Sequence, residues 1–492
     1  MCAPRLLLPI AFVSLLPLRA AAEESAIQAT PETREEIRLE GQSWSLAQVA
    51  RYAIANAPAV NSAKARWRQE RAGEGELRSR LLPHLEGGAS YTRLSNIRNA
   101  PLFAPAGDPA EARMLAENVQ DPAARELLLQ QLTLQESLAT RRIPVPRDQY
   151  ALYARLSYPI TQIFIEILPS LRAQRAGAEA RRYELEAARQ STALQALEIF
   201  LQHLRARAFT LLAQSEKRRW EENRRFAQAR LASGRGSEPD VARFDARLAA
   251  SERALSEAQA ESLGSYRALA LLLRRSLPEA LTLDEDLRRA PPRRLEGSQE
   301  TLSALALRQR PEVRALQRLV ASQRAAAQAS GAPRIPTLSA VAVADYANPN
   351  RLYIPPQERF QSSWSAGLQL RWSPDEALAA SYAKQRAGAR VQEIEEQAHL
   401  LEENIRIEIA RFHALYQSAF VGLEESQREA EAAELAYRAR RKSYELGLSQ
   451  SLELIEAQSD LERAYAAWIQ AGVDLRLREA RLRKALGQPL WR

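Results

Sequence analysis

The sequence predicts a mainly α chain that carries a small transmembrane β-barrel portion. It is arranged as two tandem repeats, each with two strands and with long and short antiparallel helices that form an α-helical barrel. Three observations carry that expectation. Matched landmarks recur at constant separations in the two halves of the 492 residues. Two stretches of about 70 residues, 160–232 and 375–446, are rich in helix formers and hold no internal proline except Pro169. Short segments alternate apolar and polar residues between aromatic ends.

The N-terminus reads as a secretory signal peptide over 1–22. Arg5 supplies the positive charge, Leu6 to Leu18 the apolar region, and Ala20, Ala21 and Ala22 the small-residue cleavage site. Residues 23–43 form an N-terminal segment. The single cysteine, Cys2, precedes the apolar region, so the exported chain is expected to carry no thiol, disulfide or lipid anchor. Beyond residue 22 no apolar run is long enough for a spanning helix, so a place in a membrane would have to be a β-barrel.

The repeat is visible in the prolines and glycines. Pro58 matches Pro311 and Pro83 matches Pro336, each pair 253 apart. Gly234 matches Gly447, Leu248 matches Leu461 and Leu273 matches Leu486, each pair 213 apart. The 40 extra residues of the first copy fall between Tyr91 and Tyr150. This segment contains six prolines and reads as an inserted loop, 95–149, with some helical content and an extracellular position. The repeats are expected at 44–275 and 300–487, with a proline-containing linker at 276–299 and a short tail at 488–492.

Within each half, two strands are expected. The clearest are 150–158 and 364–372. Tyr150, Leu152, Ala154, Leu156 and Tyr158 line one face of the first, and Trp364, Ala366, Leu368, Leu370 and Trp372 one face of the second. Length, alternation and terminal aromatics match a transmembrane β-strand. Segments 84–93 and 337–346 are the weaker partners. The rest is helical. Leu194, Leu197, Leu201, Leu204, Ala208 and Leu211 step by 3 and 4 as a heptad seam. A 70-residue helix reaches about 100 Å, and shorter helices near 44–82 and 239–275 can stack end to end beside it. Four strands cannot close a barrel, because open edges are not tolerated in lipid. Two chains would give eight strands and three would give twelve; a wide lumen favours three.

The motifs Asn56–Val60, Leu82–Leu85, Tyr444–Glu456 and Leu482–Gly487, in this order and twice over, resemble the TolC-like outer membrane factor family across most of the chain from about Trp44 to Gly487. The resemblance implies a homotrimer with a twelve-stranded barrel in the bacterial outer membrane. Below it a helical tunnel would meet a periplasmic adaptor (membrane fusion) protein and an inner-membrane RND or ABC transporter. It implies an exit duct of a tripartite efflux or type I secretion system, with no cofactor.

Gly234 and Gly447 sit where tight helix–helix reversals are needed. The resemblance makes these reversals the periplasmic tips, with Arg230, Leu231, Gly234, Leu446, Gly447 and Leu448 as adaptor contacts. Ala232, Ser233 and Ser449 lie beside them. Glu453 and Glu456, three apart and so on one helix face, match an acidic ring at the periplasmic entrance that would attract cations. Asp240 and Tyr444 match residues that lock the entrance, while Ser449 departs from the family pattern, which places a basic residue there in its best-known member.

Other function classes lack support. The 69 Lys and Arg exceed the 60 Asp and Glu by nine, but only five are Lys. The arginines interleave with glutamates along helices, as in Arg181–Glu186, so they read as ion-paired faces and not as a nucleic-acid footprint. The four histidines, His84, His203, His399 and His413, show no metal-ligand spacing, and no catalytic or nucleotide-binding motif is apparent. A periplasmic adaptor or a soluble helical scaffold remains as the alternative. The first does not expect two equal halves, and the second leaves the aromatic-capped strands unexplained.

Overall fold

The computed structural model describes residues 43–95, 109–140, 146–274, 282–283, 295, 297–354 and 357–491. The expected signal peptide, nearly all of the N-terminal segment, most of the linker 276–299 and the stretches 96–108 and 141–145 of the inserted loop lie outside these residues. The described chain forms two compact units, one gathering 43–62, 187–310 and 405–491, the other 63–186 and 311–404. The division runs across the two halves of the sequence, so each unit draws segments from both.

The first unit is helical. A two-residue strand β1 (Ser43–Trp44) is followed by α1 (Leu46–Asn56). Ser45 caps α1 reciprocally with Gln48: the Gln48 amide donates to Ser45 Oγ at 3.2 Å and the Ser45 amide to Gln48 Oε1 at 2.9 Å. The single helix expected over 44–82 is broken. Helix α2 (Pro58–Ser79) begins anew because Ala57, at φ −71° and ψ 128°, must stay extended before Pro58. In the second half Arg310, at φ −61° and ψ 127°, breaks the chain before Pro311 for the same reason.

In the second unit, β2 (His84–Arg93) leads to an insertion holding α3 (Pro109–Glu117) and α4 (Pro122–Thr140), then to β3 (Asp148–Pro159). A helical turn Ile160–Gln162 and a π-turn Ile163–Ile167 precede the long helix α5 (Leu168–Ala232). The π-turn sits just ahead of Pro169, whose ring and missing N–H forbid the regular bond to the preceding turn. Helix α6 (Glu238–Leu273) closes the first half, and strand β4 (Thr282–Leu283) lies within the linker 276–299. The second half repeats the order with α7 (Gln299–Gln309), α8 (Pro311–Ala329), β5 (Thr337–Asn348), β6 (Gln361–Arg371), α9 (Pro374–Glu445) and α10 (Ser451–Ala485).

The sheet is antiparallel in the order β2-β3-β5-β6. Its register aligns Leu85 with Leu156, Leu152 with Tyr346, Ala344 with Trp364 and Leu338 with Leu370. One continuous face is therefore apolar across all four strands, while Glu86, Arg155, Asp345, Gln369 and Arg371 share the other. Among the described residues the apolar face is uncovered: Trp364 is 78% exposed and Leu370 is 70% exposed. Tyr91, Tyr150, Phe360 and Tyr346 gather at one rim, with ring centroids 5.0 to 6.1 Å apart. β2 and β6 are the edge strands, and their outer edges are unpaired among the described residues. No described helix is long and apolar enough to cross a membrane.

The core of the helical unit buries Trp44, Val49, Phe200, Leu201, Leu269 and Leu273, each such side chain contributing about 1.5–3 kcal/mol. The heptad seam is observed only in part. Leu197, Leu201 and Leu204 are buried, Leu194 is half-buried, and Leu211 is exposed. Burial on α5 steps by 4, 3 and 4 through Ala193, Leu197, Phe200 and Leu204, then resumes at Glu216, Trp220, Asn223 and Ala227, out of phase with the first run. The phase slips between Leu204 and Glu216, leaving Leu211 off the packed face. The C-terminal tail is packed: Leu490 is buried, and the Trp491 carbonyl accepts from Arg51 Nε at 2.8 Å. Gly487, at φ +76°, lies so close to the Gln309–Arg310 backbone that a Cβ there would approach within 2.8 Å, which accounts for the terminal Leu482–Gly487 motif.

Candidate functional site

The residues singled out in the sequence collect around two helix reversals of the helical unit, α5 to α6 and α9 to α10. Both reversals use one backbone solution. In the first, the Gly234 amide donates to the Leu231 carbonyl at 3.0 Å and the Arg235 amide to the Arg230 carbonyl at 2.9 Å. In the second, the Gly447 amide donates to the Tyr444 carbonyl at 3.0 Å and the Leu448 amide to the Ser443 carbonyl at 2.8 Å. Gly234 has φ +73° and Gly447 has φ +80°. This is the helix-ending pattern that requires a left-handed residue, and glycine adopts it without a Cβ penalty.

Arg230 joins the two reversals. Its Nη1 donates to the Tyr444 carbonyl at 2.6 Å and its Nη2 to the Arg235 carbonyl at 3.2 Å. Its guanidinium lies 4.8 Å from the Tyr444 ring centroid. Tyr444 is buried against Phe226 and Phe244, at 5.7 and 6.0 Å between centroids. Burial pushes its phenol up, the Arg230 charge opposes this and the Asp240 charge adds to it.

Asp240 makes a second tie. It accepts from Ser237 Oγ at 2.8 Å, from Ser451 Oγ, and faces the Arg243 guanidinium at 3.5 Å. Burial alone would raise this carboxyl, but the hydroxyls of Ser451 and Ser237 and the Arg243 charge together hold it below the ordinary carboxylate value. Its hydrogen bonds thus lead to the start of α10 and not to Tyr444. Glu453 forms an ion pair with Arg440 at 2.7 Å, and Glu456 is exposed on the same helix. Leu446 and Leu448 are 67% and 78% exposed, and Leu231 is half-buried.

Farther along the same helices lies a buried polar ladder that sequence reasoning missed. Asn223 Nδ2 donates to Gln458 Oε1 at 2.6 Å, and Gln458 Nε2 to Glu216 Oε2 at 3.4 Å. Arg219 Nη1 reaches Glu216 Oε1 at 3.2 Å and lies over the rings of Tyr437 and Tyr465. Burial pushes the Glu216 carboxyl up to about 7; Arg219 opposes this, and the Glu462 charge reinforces it. The signal available in the sequence was the return of 4-3-4 spacing at Glu216, Trp220, Asn223 and Ala227, but two of those residues are polar. Among the described residues no group of His, Cys, Asp or Glu is arranged to hold a metal ion.

No family model and no curated protein matches this sequence. Solved structures do. A chain described as the outer-membrane channel OprN is 20% identical with a TM-score of 0.67, covering 91% of this chain and 91% of that one. CusC, described by its conformational changes on folding and transmembrane channel formation, is 16% identical with a TM-score of 0.70, covering 92% of this chain and 96% of its own. The MtrE outer-membrane channel of Neisseria gonorrhoeae, in its open state, is 18% identical with a TM-score of 0.68, over 90% and 89% of the two chains. The chain therefore has the fold of these outer-membrane channels, the fold that its resemblance to the TolC-like outer membrane factors implied.

Proposed function

We propose that the chain is the subunit of an outer-membrane exit duct in a tripartite efflux or type I secretion system, passing substrates from the periplasm or an inner-membrane pump to the exterior. The observation that carries this reading is the four-stranded sheet. Among the described residues it presents an uncovered apolar face ending in aromatics, and the outer edges of β2 and β6 are unpaired. Lipid accepts such a sheet only when its edges are closed by other copies. Three copies closing β6 on β2 give a twelve-stranded barrel with the polar face toward the lumen. The long helices α5 and α9 then extend into the periplasm as a tunnel.

In this reading residues 1–22 are the signal peptide, 44–275 and 300–487 the two repeats joined by the linker 276–299, and 95–149 the extracellular insertion. The hairpin reversals at Gly234 and Gly447 are the periplasmic tips. Leu446 and Leu448 offer apolar contact to a periplasmic adaptor, while Arg230 holds the two tips of one subunit together. Asp240, bound to Ser451, and Tyr444 restrain the entrance. Glu453 and Glu456 ring it, with Arg440 as a counter-ion beside Glu453. The partners are the adaptor and an inner-membrane RND or ABC transporter, and no enzymatic step is involved. A periplasmic adaptor or a soluble scaffold would have no use for the uncovered sheet face.

The test is extraction of the protein from outer-membrane fractions in mild detergent, with planar-bilayer conductance of the product. A trimer-sized, heat-labile species that opens discrete conductances is expected. A monomer confined to the soluble periplasmic fraction would sink the reading.

A further inference from the structure

The insertion between β2 and β3 holds a helical hairpin whose apolar surface is largely exposed and has no partner among the described residues. Helices α3 and α4 are tied by the Arg113–Glu136 ion pair at 3.2 Å, and Asp121 caps the start of α4 through the Ala123 amide at 3.0 Å. Ala116 is buried between them. Leu115 and Leu127 are each 67% exposed, Met114 and Leu134 are exposed too, and a groove of about 390 Å³ is lined by Ala112, Leu115, Leu128 and Leu132. Apolar residues at this density on a short solvated hairpin mark a contact surface.

Topology says where the hairpin is rooted. It leaves from Arg93 at the end of β2, an edge strand, and returns at Asp148, where the Leu94 amide bonds the Arg147 carbonyl at 2.8 Å. The other edge strand, β6, is preceded by the turn that starts at Pro349. Because Tyr150 pairs with both Tyr91 and Asn348, this turn leaves the same end of the sheet as the hairpin. Asn350 is buried and fixes the turn, donating to the Gln361 carbonyl at 3.0 Å and Ser363 Oγ at 2.8 Å, and accepting from the Leu352 amide at 3.0 Å. So held, the turn presents Leu352 at 67% and Ile354 at 87% exposure beside Arg351. Closing β6 on β2 of the next copy sets this turn beside that copy's hairpin.

We propose that hairpin α3–α4 of each copy docks on the 349–354 turn of its neighbour, so that three such contacts form a collar at the barrel rim. The inference rests on the trimeric-barrel reading above. Continuity with the β2–β6 seam selects a second copy as the occupant. Charge agrees: the segment 109–140 carries five acidic and two basic side chains, whereas the turn carries Arg351. The same acidity disfavours docking on an anionic lipid surface.

The experiment places Leu128→Cys and Ile354→Cys together in a Cys2→Ser background and treats native outer membranes with a flexible bismaleimide. The expected result is covalent dimers and trimers on heated gels from the double variant and none from either single variant. A trimer on unheated gels that yields no cross-link overturns the collar while leaving the duct intact. Modification of the residue-128 thiol only by a lipid-soluble maleimide would instead assign the hairpin to the bilayer and also overturn it. A monomer on unheated gels removes both readings. As a second measure, Ile354→Glu is expected to lower the temperature at which the trimer dissociates; an unchanged temperature counts against the docking.

Discussion

The two hairpin reversals share a backbone and differ in what they do with it. Both close through the same pair of hydrogen bonds around a left-handed glycine. The α5–α6 reversal spends its main side chain, Arg230, inward on its neighbour's carbonyl and ring. The α9–α10 reversal turns Leu446 and Leu448 outward. The two copies thus share the turn but not its side chains: one holds the hairpins together, and the other leaves apolar side chains exposed.

The largest effect is expected above the tips, at the ladder that also joins the hairpins. A carboxyl whose folded pKa is raised binds its proton more tightly when folded, so stability is fullest below the unfolded value of about 4 and falls as pH rises toward 7. A shift of this size corresponds to about 3 kcal/mol. Urea unfolding of the detergent-solubilised protein, followed from pH 4 to 8, should show that loss, and Glu216→Gln should abolish it. Parallel curves for the two proteins would mean that Glu216 is not the group whose titration sets the pH dependence.

Next in size is Arg230→Ala, which removes two charge-assisted hydrogen bonds and a cation–π contact, about 2 kcal/mol locally. Amide hydrogen exchange should accelerate at both reversals together, since Arg230 links them. The exposed Arg235, which contributes only its backbone amide and carbonyl, should tolerate Ala. Acceleration confined to 231–237 would deny the cross-link.

Gly234→Ala and Gly447→Ala should each cost about 1 kcal/mol, and equally. A Cβ at 234 meets no atom within 4 Å, and one at 447 meets only Arg230 Nη2 at 3.7 Å, so the cost is conformational in both. Unequal losses in melting temperature would break the equivalence of the two turns.

The smallest change belongs to Asp240, which is part-exposed, so its ties are worth under about 1 kcal/mol. Its carboxyl is held low, so its contribution is present above an unfolded value of about 4 and vanishes as pH falls through the folded one, the sense opposite to Glu216. Asp240→Asn should therefore match the parent protein at low pH and fall below it at neutral pH.

Much of this was legible before the structure. Period-two alternation with terminal aromatics located β3 and β6, and weaker alternation located β2 and β5, because a sheet wet on one face and apolar on the other writes that period directly. The constant 213-residue separation located both reversals. Other features were not legible. Nothing local separates the inward Arg230 from the exposed Arg225, since the distinction depends on a carbonyl contributed 214 positions away. The helix breaks before Pro58 and Pro311 are not legible in the sequence, because proline is well tolerated in a first turn, where no hydrogen bond is lost. The slip of the seam that exposes Leu211 depends on which helices pack against α5, which spacing alone does not encode.

The unpaired edges β2 and β6 carry a consequence for heredity as well as for architecture. If the sheet persists in lipid only as part of a closed ring, then insertion and association are one event, and its rate climbs steeply with the local supply of chains. A copy whose edge strand is damaged would still offer its sound edge to a neighbour and so enter rings it cannot complete. In a cell making both forms most rings would contain a faulty member, and a lesion at either edge should behave as a dominant trait, whereas loss of the whole chain should be recessive.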